Sequence, residues 1–254
     1  MAAAEEFFKA GCNVVIAARR IEKLNDLKKR LTGSNHDNRI LPLYCDVTSE
    51  EDCRNLIEQT LKEYGRIDIL VNNAGISMRA LFKDLELKVI RQLMDVNFWG
   101  TVYCTKYALP HLLKEKGSVV GVISIAGYKG LPARTGYSAS KFAIYGFLET
   151  LRIEHLKDGL HVMIFAPGFT SSGIREKALI ADGTTQGSTP RDESKMMSAN
   201  KCAKHLLRGI KRRKSEVILT PIGKLLVFLN KFLPRLIDKL EYNFMKKEEG
   251  SPLR

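Results

Sequence analysis

Short apolar runs alternate with amphipathic stretches along the first two thirds of the chain. The runs predict strands at 14–18, 40–45, 67–71, 118–124 and 162–165, and helical spacing of apolar positions predicts helices at 21–31, 50–63, 90–113 and 136–157. Strands that are apolar on both faces are typical of a parallel sheet with helices on both sides. The predicted fold class is therefore α/β, with a doubly wound parallel sheet.

The second helix of this pattern, 50–63, has sequence signals at both ends. Thr48 and Glu51 form a capping box, in which each side chain bonds a free backbone N–H, and this predicts the helix start. Gly65 predicts its end, because glycine adopts the left-handed conformation that closes many helices.

Residues 169–200 interrupt the alternation with glycines, Pro190 and many hydroxyl side chains. The segment leaves a predicted strand end after Pro167-Gly168, and ligands of open α/β sheets bind beyond the carboxyl ends of the strands. We expect a substrate lid, with a passive loop as the alternative. Several apolar side chains of the segment predict either an apolar pocket or ordinary packing: Phe169, Ile174, Leu179, Met196 and Met197.

A last predicted strand at 217–219 is followed by apolar residues at helical spacing with basic residues on the other side. Pro234 predicts the start of a second helix there, since proline suits a first turn. We therefore divide the chain into a domain at 1–220 and a basic amphipathic extension at 221–254. A flap over an apolar substrate pocket and a dimer contact are the favoured roles of the extension. Weak peripheral membrane contact through 221–247 is the third.

The charge of the chain is unevenly distributed. The formal net charge is +13, and residues 201–254 hold 14 Lys and Arg against five Asp and Glu. Such an excess favours nucleic acid, anionic lipid or acidic substrates, although many charge runs are only solvated faces. The chain has no zinc-finger spacing and no RNA-binding aromatic signature, so we expect no nucleic-acid partner.

The cysteines and histidines lack the spacing of metal ligands. Five scattered cysteines without a Cys-x-x-Cys pair predict reduced thiols in a reducing compartment, so we expect a cytoplasmic protein. The five histidines show no i, i+4 pair, so no metal site is expected. Neither a secretory signal nor a membrane-spanning apolar segment is recognised in the sequence.

A phenol and an ammonium stand one helical turn apart in the predicted helix 136–157. Tyr137 and Lys141 lie on one helix face, so the positive charge of the lysine favours the phenolate and lowers the tyrosine pKa. A tyrosine of lowered pKa serves as a general acid and base. Ser124, at the end of a strand, is a candidate donor to a developing oxyanion. Taken singly, each could be a core tyrosine, a solvated lysine or a turn serine.

The chain resembles the short-chain dehydrogenase/reductase family in five motifs that occur in the family's order over residues 1 to about 170. These are the run from Asn72 to Gly75, Asn97, the run from Ser124 to Gly127, Tyr137-x-x-x-Lys141, and Pro167-Gly168. The resemblance implies a Rossmann-like fold and interconversion of a carbonyl and a secondary alcohol with a nicotinamide cofactor.

The resemblance also implies the roles of individual residues. Tyr137, Lys141, Ser124 and Asn97 would be catalytic, with Asn97 holding a water in a proton relay and Lys141 binding the nicotinamide ribose. Asn72 would tie neighbouring strands together. The expected cofactor-binding set is Arg19, Arg20, Asp46, Val47, Asn73, Ala74, Gly75, Tyr137, Lys141, Pro167 and Gly168.

The residues after the first predicted strand indicate which cofactor is bound. An acidic residue there favours NAD, whereas arginine accommodates the 2′-phosphate of NADP. This chain has Arg19 and Arg20 and no carboxylate at that point, so we expect NADP(H), with Arg19 as the closer match. Asp46 matches the adenine-binding aspartate of the family, or it caps the helix that follows.

The beginning of the chain departs from the family pattern. Members of the family start with a strand and a Thr-Gly-x-x-x-Gly-x-Gly turn that receives the cofactor pyrophosphate, whereas residues 1–11 resemble the helix after that turn. We expect a gap in the sheet, exposed apolar surface and low stability. A misplaced start or a fragment is the favoured explanation, and a truncated, non-catalytic product is the alternative.

The combined prediction is an NADP(H)-dependent oxidoreductase acting on an apolar or lipid-like carbonyl or alcohol. We expect a small-molecule substrate and, from the family resemblance, a homo-oligomer. The alternative function is a non-catalytic fold that acts in association or at a membrane surface.

Overall fold

A computed structural model describes residues 1–33 and 39–253 of the chain. His36 lies outside the described residues. The strands are β1 (Val14–Ala18), β2 (Ile40–Tyr44), β3 (Ile69–Asn72), β4 (Ser118–Val122), β5 (His161–Ala166) and β6 (Glu216–Ile218). The helices are α1 (Ala2–Lys9), α2 (Ile21–Thr32), α3 (Glu50–Tyr64), α4 (Leu87–Leu93), α5 (Gly100–Lys114), α6 (Thr135–Glu154), α7 (Ala199–Lys211), α8 (Pro221–Asn230) and α9 (Pro234–Lys246).

The strands run parallel and form two hydrogen-bonded sheets in the described part of the chain. One sheet pairs β1 with β2, and the other has the order β3-β4-β5-β6. Strands β4 and β5 lie in the middle of the larger sheet and are almost fully buried, in agreement with their continuous apolar sequences. The predicted doubly wound α/β architecture is confirmed.

The expected gap lies between β1 and β3, which are not hydrogen-bonded to each other. Apolar exposure at this gap is smaller than we expected from the sequence. Val14 of β1 and Ile69 of β3 are both partly buried against one apolar cluster that includes Phe7 of α1. Helix α1 also packs against α7. Side chains therefore bridge the two sheets where backbone hydrogen bonds do not.

The ends of α3 are only partly as predicted. The capping box at Thr48 and Glu51 is wrong, because the N-cap is Ser49, whose hydroxyl accepts a hydrogen bond from the Asp52 N–H at 3.1 Å. Gly65 ends the helix with a φ of 72° and donates its N–H to the carbonyl of Leu61.

The predicted helix 90–113 is not one continuous α-helix. A π-helical segment, Met94–Trp99, separates α4 from α5, so its backbone bonds are one residue longer than in an α-helix. Such segments are frequent at functional sites. Asn97 lies inside this one and is completely buried.

Both C-terminal helices begin at a proline, as the sequence predicts for the second of them. Pro221 stands at the start of α8 and Pro234 at the start of α9. Val227, Ile237 and Met245 of the pair are buried, while many of its other apolar side chains are exposed. No helix among the described residues is long and apolar enough to cross a membrane.

Candidate active site

The carboxyl end of β4 and the first turn of α6 bring Ser124 and Tyr137 together. Ser124 follows β4 in an extended conformation, and its Oγ accepts a hydrogen bond from the Ala126 N–H at 3.3 Å. Tyr137 is partly buried and packs in the same apolar cluster as Met78. Its hydroxyl interacts with that of Ser124, which lowers the tyrosine pKa. The two hydroxyl groups predicted to act on one substrate oxygen are therefore neighbours.

Burial and nearby charges have opposite effects on Tyr137. Burial raises the pKa of Tyr137 above its ordinary value, because the phenolate is poorly solvated inside the protein. The Ser124 hydroxyl and the guanidinium groups of Arg134 and Arg175 counteract this rise by stabilising the phenolate. Lys141 is not among the groups that lower this pKa. The guanidinium groups that lower this pKa belong to two arginines that the sequence prediction did not include.

Lys141 lies beneath the end of β4, and only 3% of its surface is exposed. Its Nζ donates a hydrogen bond to the Val122 carbonyl at 2.9 Å and lies 5.8 Å from the centroid of the Tyr137 ring. Burial lowers the pKa of Lys141 to about 8. An ammonium that is 3% exposed is not a solvated surface lysine, and a buried charge is costly unless it is paired and hydrogen-bonded.

Asn97 connects the π-helical segment to two other parts of the site. Its Oδ1 accepts from the Ile76 N–H at 2.8 Å, and its Nδ2 donates to the Ile76 carbonyl at 3.0 Å and to Ser140 Oγ at 2.8 Å. Ser140 precedes Lys141 on α6. An outward-facing asparagine is therefore excluded, and Asn97 fixes the loop after β3 against α6.

The run after β3 approaches the same centre through Gly75. A Cβ atom at Gly75 would lie 3.3 Å from Asn97 Oδ1 and 3.4 Å from Lys141 Nζ, so a side chain would crowd both groups. Asn73 and Ala74 are exposed beside it. Asn72 donates to Thr105 Oγ1 of α5 at 3.0 Å. The side chain of Asn72 thus ties β3 to a helix and not to a neighbouring strand, contrary to the sequence prediction.

The predicted cofactor residues lie after the carboxyl ends of β1, β2 and β5. Arg19 follows β1 and forms an ion pair with Asp46 at 3.7 Å, while its side chain remains 66% exposed. Arg20 is exposed at the start of α2. Asp46 Oδ1 accepts from the Thr48 N–H at 3.0 Å, so this carboxylate orders the turn and does not cap α3.

Three further predicted residues surround this edge. Val47 contacts the start of α5 so closely that a Cβ at Gly100 would lie 2.8 Å from it. Pro167 and Gly168 are partly buried after β5. The residues present fit a nicotinamide nucleotide, because Gly75 leaves room for close backbone approach and the Arg19 guanidinium is exposed for a phosphate. No group of three potential ligand side chains in the described chain could hold a metal ion.

The segment after β5 and the C-terminal helices contact each other beside this centre. The rings of Phe169 and Phe244 lie 6.4 Å apart, and the Arg191 guanidinium lies 3.9 Å from the centre of the Phe169 ring. Lys129, which follows Ser124 on the chain, forms an ion pair with Asp238 of α9. Residues 169–200 and the extension are therefore neighbours in space.

Sequence reasoning missed the arginines near Tyr137. Arg134 stands three residues before Tyr137, at helical spacing, so its proximity was readable from the chain. Arg175 lies in the irregular segment, where it forms an ion pair with Glu193 at 2.7 Å. No periodicity signals that position, and only the tertiary fold brings it to the site.

Comparison with known proteins gives concordant results. The family model described as short chain dehydrogenase matches residues 1–181. The 11-beta-hydroxysteroid dehydrogenase-like 3 protein of Arabidopsis thaliana is 34% identical over 249 residues, which cover 95% of this chain and 76% of the plant protein.

Solved structures match with closely similar folds. A short chain dehydrogenase/reductase from Burkholderia phymatum in complex with NAD gives a TM-score of 0.80 at 21% identity, covering 92% of this chain and 89% of that one. An alcohol dehydrogenase from the archaeon Thermococcus sibiricus complexed with 5-hydroxy-NADP gives 0.75 at 20% identity, covering 86% and 89%. At this identity the likeness shows a common fold.

Proposed function

The chain belongs to the short-chain dehydrogenase family of oxidoreductases, and we propose that it interconverts a carbonyl and a secondary alcohol with NADP(H). The observation that carries this proposal is the neighbouring position of Tyr137, Ser124 and Lys141, with Asn97 bracing the loop that approaches them. When bound, the nicotinamide supplies or accepts the hydride.

In the direction of reduction, Tyr137 donates its phenolic proton to the carbonyl oxygen. Ser124 donates a hydrogen bond to the same oxygen, which stabilises the negative charge that develops there. Arg134 and Arg175 stabilise the phenolate that remains, because they already lower the tyrosine pKa. In oxidation the phenolate takes the proton back from the alcohol.

Lys141 and Asn97 support the reacting groups. Lys141 is proposed to bind the nicotinamide ribose, and this contact would compensate its buried charge. Asn97 is proposed to place the water of a proton relay, a role compatible with its position between the Ile76 backbone and Ser140. Asn73, Ala74, Gly75, Pro167 and Gly168 would form the wall of the cofactor site.

The preference for NADP over NAD is proposed from Arg19 and Arg20. The exposed Arg19 guanidinium can bind a 2′-phosphate, and its pairing with Asp46 restrains it beside the predicted adenine site, where Val47 also lies. A preference for NAD would contradict this part of the proposal.

We propose an apolar substrate covered by residues 169–200, with the extension at 221–254 as a flap. The contact between Phe169 and Phe244 supports this division, because it joins the two segments over the catalytic side of the domain at 1–220. The cleft between α6 and α9 has a volume of about 470 Å³. Its lining combines Leu131, Pro132 and Tyr242 with the charged Lys129, Asp238 and Glu241. Its lining does not include Tyr137.

Homo-oligomerisation is proposed through the long helices. Trp99 ends the π-helical segment just before α5, while Phe142 and Ile153 lie on α6, and all three are exposed. Exposed apolar groups on adjacent helices are typical of a subunit contact.

We place the protein in the cytoplasm, with its free thiols reduced.

Peripheral contact with a membrane is proposed for the outer face of α8 and α9. This face exposes apolar side chains beside basic ones: Ile222, Leu225, Phe228, Phe232, Leu236 and Leu240 lie near Lys224, Lys231, Arg235 and Lys239. Apolar surface with positive charge binds anionic bilayers. Flotation with phosphatidylserine vesicles should exceed flotation with phosphatidylcholine vesicles and fall in Leu225→Ser/Phe228→Ser. Equal flotation with both lipids would contradict the proposal.

The experiment that tests the enzymatic function is a fluorescence titration of the chain with NADPH and, in parallel, with NADH. We expect NADPH to bind more tightly. Lys141→Ala should weaken binding of both nucleotides, whereas Lys106→Ala on the exposed side of α5 should weaken neither. Failure to bind either nucleotide would favour the non-catalytic alternative.

A further inference from the structure

A cluster of arginines from three parts of the chain surrounds one carboxylate beside the catalytic turn. Arg79 follows β3, Arg134 begins α6, Arg191 lies in the segment before α7, and Glu248 follows α9. The exposed fractions of these side chains are 8%, 12%, 15% and 6%, respectively. We call these four residues the arginine cluster.

All three guanidinium groups approach the Glu248 carboxylate. Arg191 Nε donates to Oε1 at 2.6 Å and its Nη2 contacts the same oxygen, while Arg79 Nη2 lies 3.5 Å and Arg134 Nη2 4.0 Å from Oε2. Arg79 Nη2 also donates to the Glu249 carbonyl at 2.6 Å. The site is thus built to hold a carboxylate in a buried position.

The cluster carries more positive than negative charge. Three arginines face Glu248. A further carboxyl, Glu241, interacts with Arg191 and Glu248, and burial raises its pKa. Burial and the other two guanidiniums lower the pKa of Arg134 to about 10, although Glu248 acts in the opposite direction. Buried cations in excess are destabilising, so a second anion would be bound favourably.

An unused donor provides a second and independent observation. The Nε of Arg79 is buried and has no hydrogen-bond partner among the described residues. A buried N–H without an acceptor costs free energy that an additional oxygen ligand would recover. Protein groups therefore satisfy the cluster incompletely.

The position of the cluster connects it with the reaction. The Ala80 N–H donates to the Ala133 carbonyl at 3.1 Å, so the loop that holds Arg79 is fixed to the residue before Arg134. Arg134 in turn lies three residues before Tyr137, and its charge acts on the phenol. The cluster and Tyr137 are thus linked through Arg134, which takes part in both.

We propose that the arginine cluster is a recognition site for a carboxylate on the substrate, and that Glu248 is its internal competitor. The inference rests on the proposed function in one respect, which is that the bound molecule is the substrate of the enzyme. It narrows the substrate class to apolar carbonyl or alcohol compounds that carry an acidic group. Arg79, Arg134 and Arg191 are then residues that determine specificity.

The test is calorimetric binding of octanoate and of octanamide, which have the same chain length and differ in charge. We expect octanoate to bind about tenfold more tightly than octanamide. Glu248→Gln should increase octanoate affinity severalfold and leave octanamide unchanged. Arg79→Gln and Arg134→Gln should abolish the preference, whereas Arg54→Gln on the surface of α3 should retain it.

Two additional measurements keep the result interpretable. Arg134→Lys should retain part of the preference if charge is responsible, and thermal unfolding identifies any variant that has lost its fold. Equal affinity for the two probes, or a preference that survives both Arg→Gln changes, would overturn the inference. NADPH titration is read separately. Selective octanoate binding by a protein that binds no NADPH would support the carboxylate site and reject the enzymatic function. NADPH binding without octanoate selectivity would reject the carboxylate site alone.

Discussion

The side-chain amide of Asn97 bonds the backbone of Ile76 through both of its polar atoms, at 2.8 and 3.0 Å. The backbone N–H and carbonyl of Ile76 are thus paired as they would be by a neighbouring strand. Their partner, however, is a buried side chain from the π-helical segment. Because the same amide also donates to Ser140, one residue holds the loop after β3 at a fixed distance from Lys141. The geometry of the site depends on this residue.

Replacement of Asn97 by Ala should therefore lower the free energy of unfolding. It leaves the Ile76 N–H and carbonyl buried without partners, and we expect a loss of about 2 to 4 kcal/mol in urea denaturation. Ser140→Ala removes one of the three Asn97 bonds and the bond from the Ser140 hydroxyl to the Tyr137 carbonyl, and should cost about 1 to 2 kcal/mol. Equal losses for the two variants would show that the pairing with Ile76 contributes little.

Replacement of Tyr137 by Phe should remove turnover and leave cofactor binding nearly intact. The ring remains in its apolar cluster, but the proton donor is lost, and we expect a rate decrease of at least about 10²-fold. Tyr145→Phe, two turns further along α6, is the matched control and should retain activity. Steady-state assay and NADPH titration of both variants provide the comparison. Normal turnover of Tyr137→Phe would reject its assignment as general acid.

Replacement of Lys141 by Met should change stability in a pH-dependent way. Burial lowers the folded-state pKa of Lys141 to about 8, whereas the ordinary value of 10.5 applies to the unfolded chain. Between these pH values Lys141 is therefore mostly protonated in the unfolded chain and mostly neutral in the folded protein. Its contribution to stability therefore rises between pH 8 and 10.5 and is least favourable below pH 8.

Without cofactor, Lys141→Met should consequently be more stable than the parent chain at pH 7, by on the order of 2 kcal/mol. The loss of the bond to the Val122 carbonyl reduces this gain, which should disappear as the pH approaches the ordinary lysine value. Urea denaturation at a series of pH values measures the difference, with the exposed Lys106→Met as control. A gain that is independent of pH would contradict the buried-charge explanation.

Replacement of Arg19 by Ala should weaken NADPH binding and hardly affect NADH. A charge-assisted bond to the 2′-phosphate is lost, and we expect about a tenfold decrease in NADPH affinity. Arg20→Ala should have a smaller effect, because Arg20 lacks an ion pair like that of Arg19 with Asp46 in the described structure. Parallel loss of both nucleotides in Arg19→Ala would point to local unfolding instead.

The continuous apolar runs of β4 and β5 reflect burial on both faces, which is why the sequence predicted these strands. It placed the cap of α3 one residue early, because Thr48 and Ser49 are both acceptable caps and only tertiary packing selects between them. The π-helical segment was not predicted, since its apolar pattern is close to that of an α-helix.

The site was predicted where residues follow a local motif and missed where the fold assembles them. Tyr137 and Lys141 were recognised from spacing within one helix. Arg79 is more than a hundred residues from both Arg191 and Glu248 along the chain, and the three belong to no motif, so no local pattern indicates that they meet. Their mutual contact results from the return of the C-terminal helices to the catalytic side of the domain.

The division of the sheet into two hydrogen-bonded parts should lower the cooperativity of unfolding. No backbone hydrogen bond joins β1 to β3 in the described structure, so β1, β2 and α2 are coupled to the larger sheet only through side chains such as Phe7 and Val14. Amide protons of β1 and β2 should then exchange with solvent through a local opening of lower free energy than those of β4 and β5. Arg19 and Asp46 follow the strands of this smaller unit. A nucleotide that binds to them and to the larger sheet at the same time would suppress the local opening, so that the whole molecule unfolds in one step.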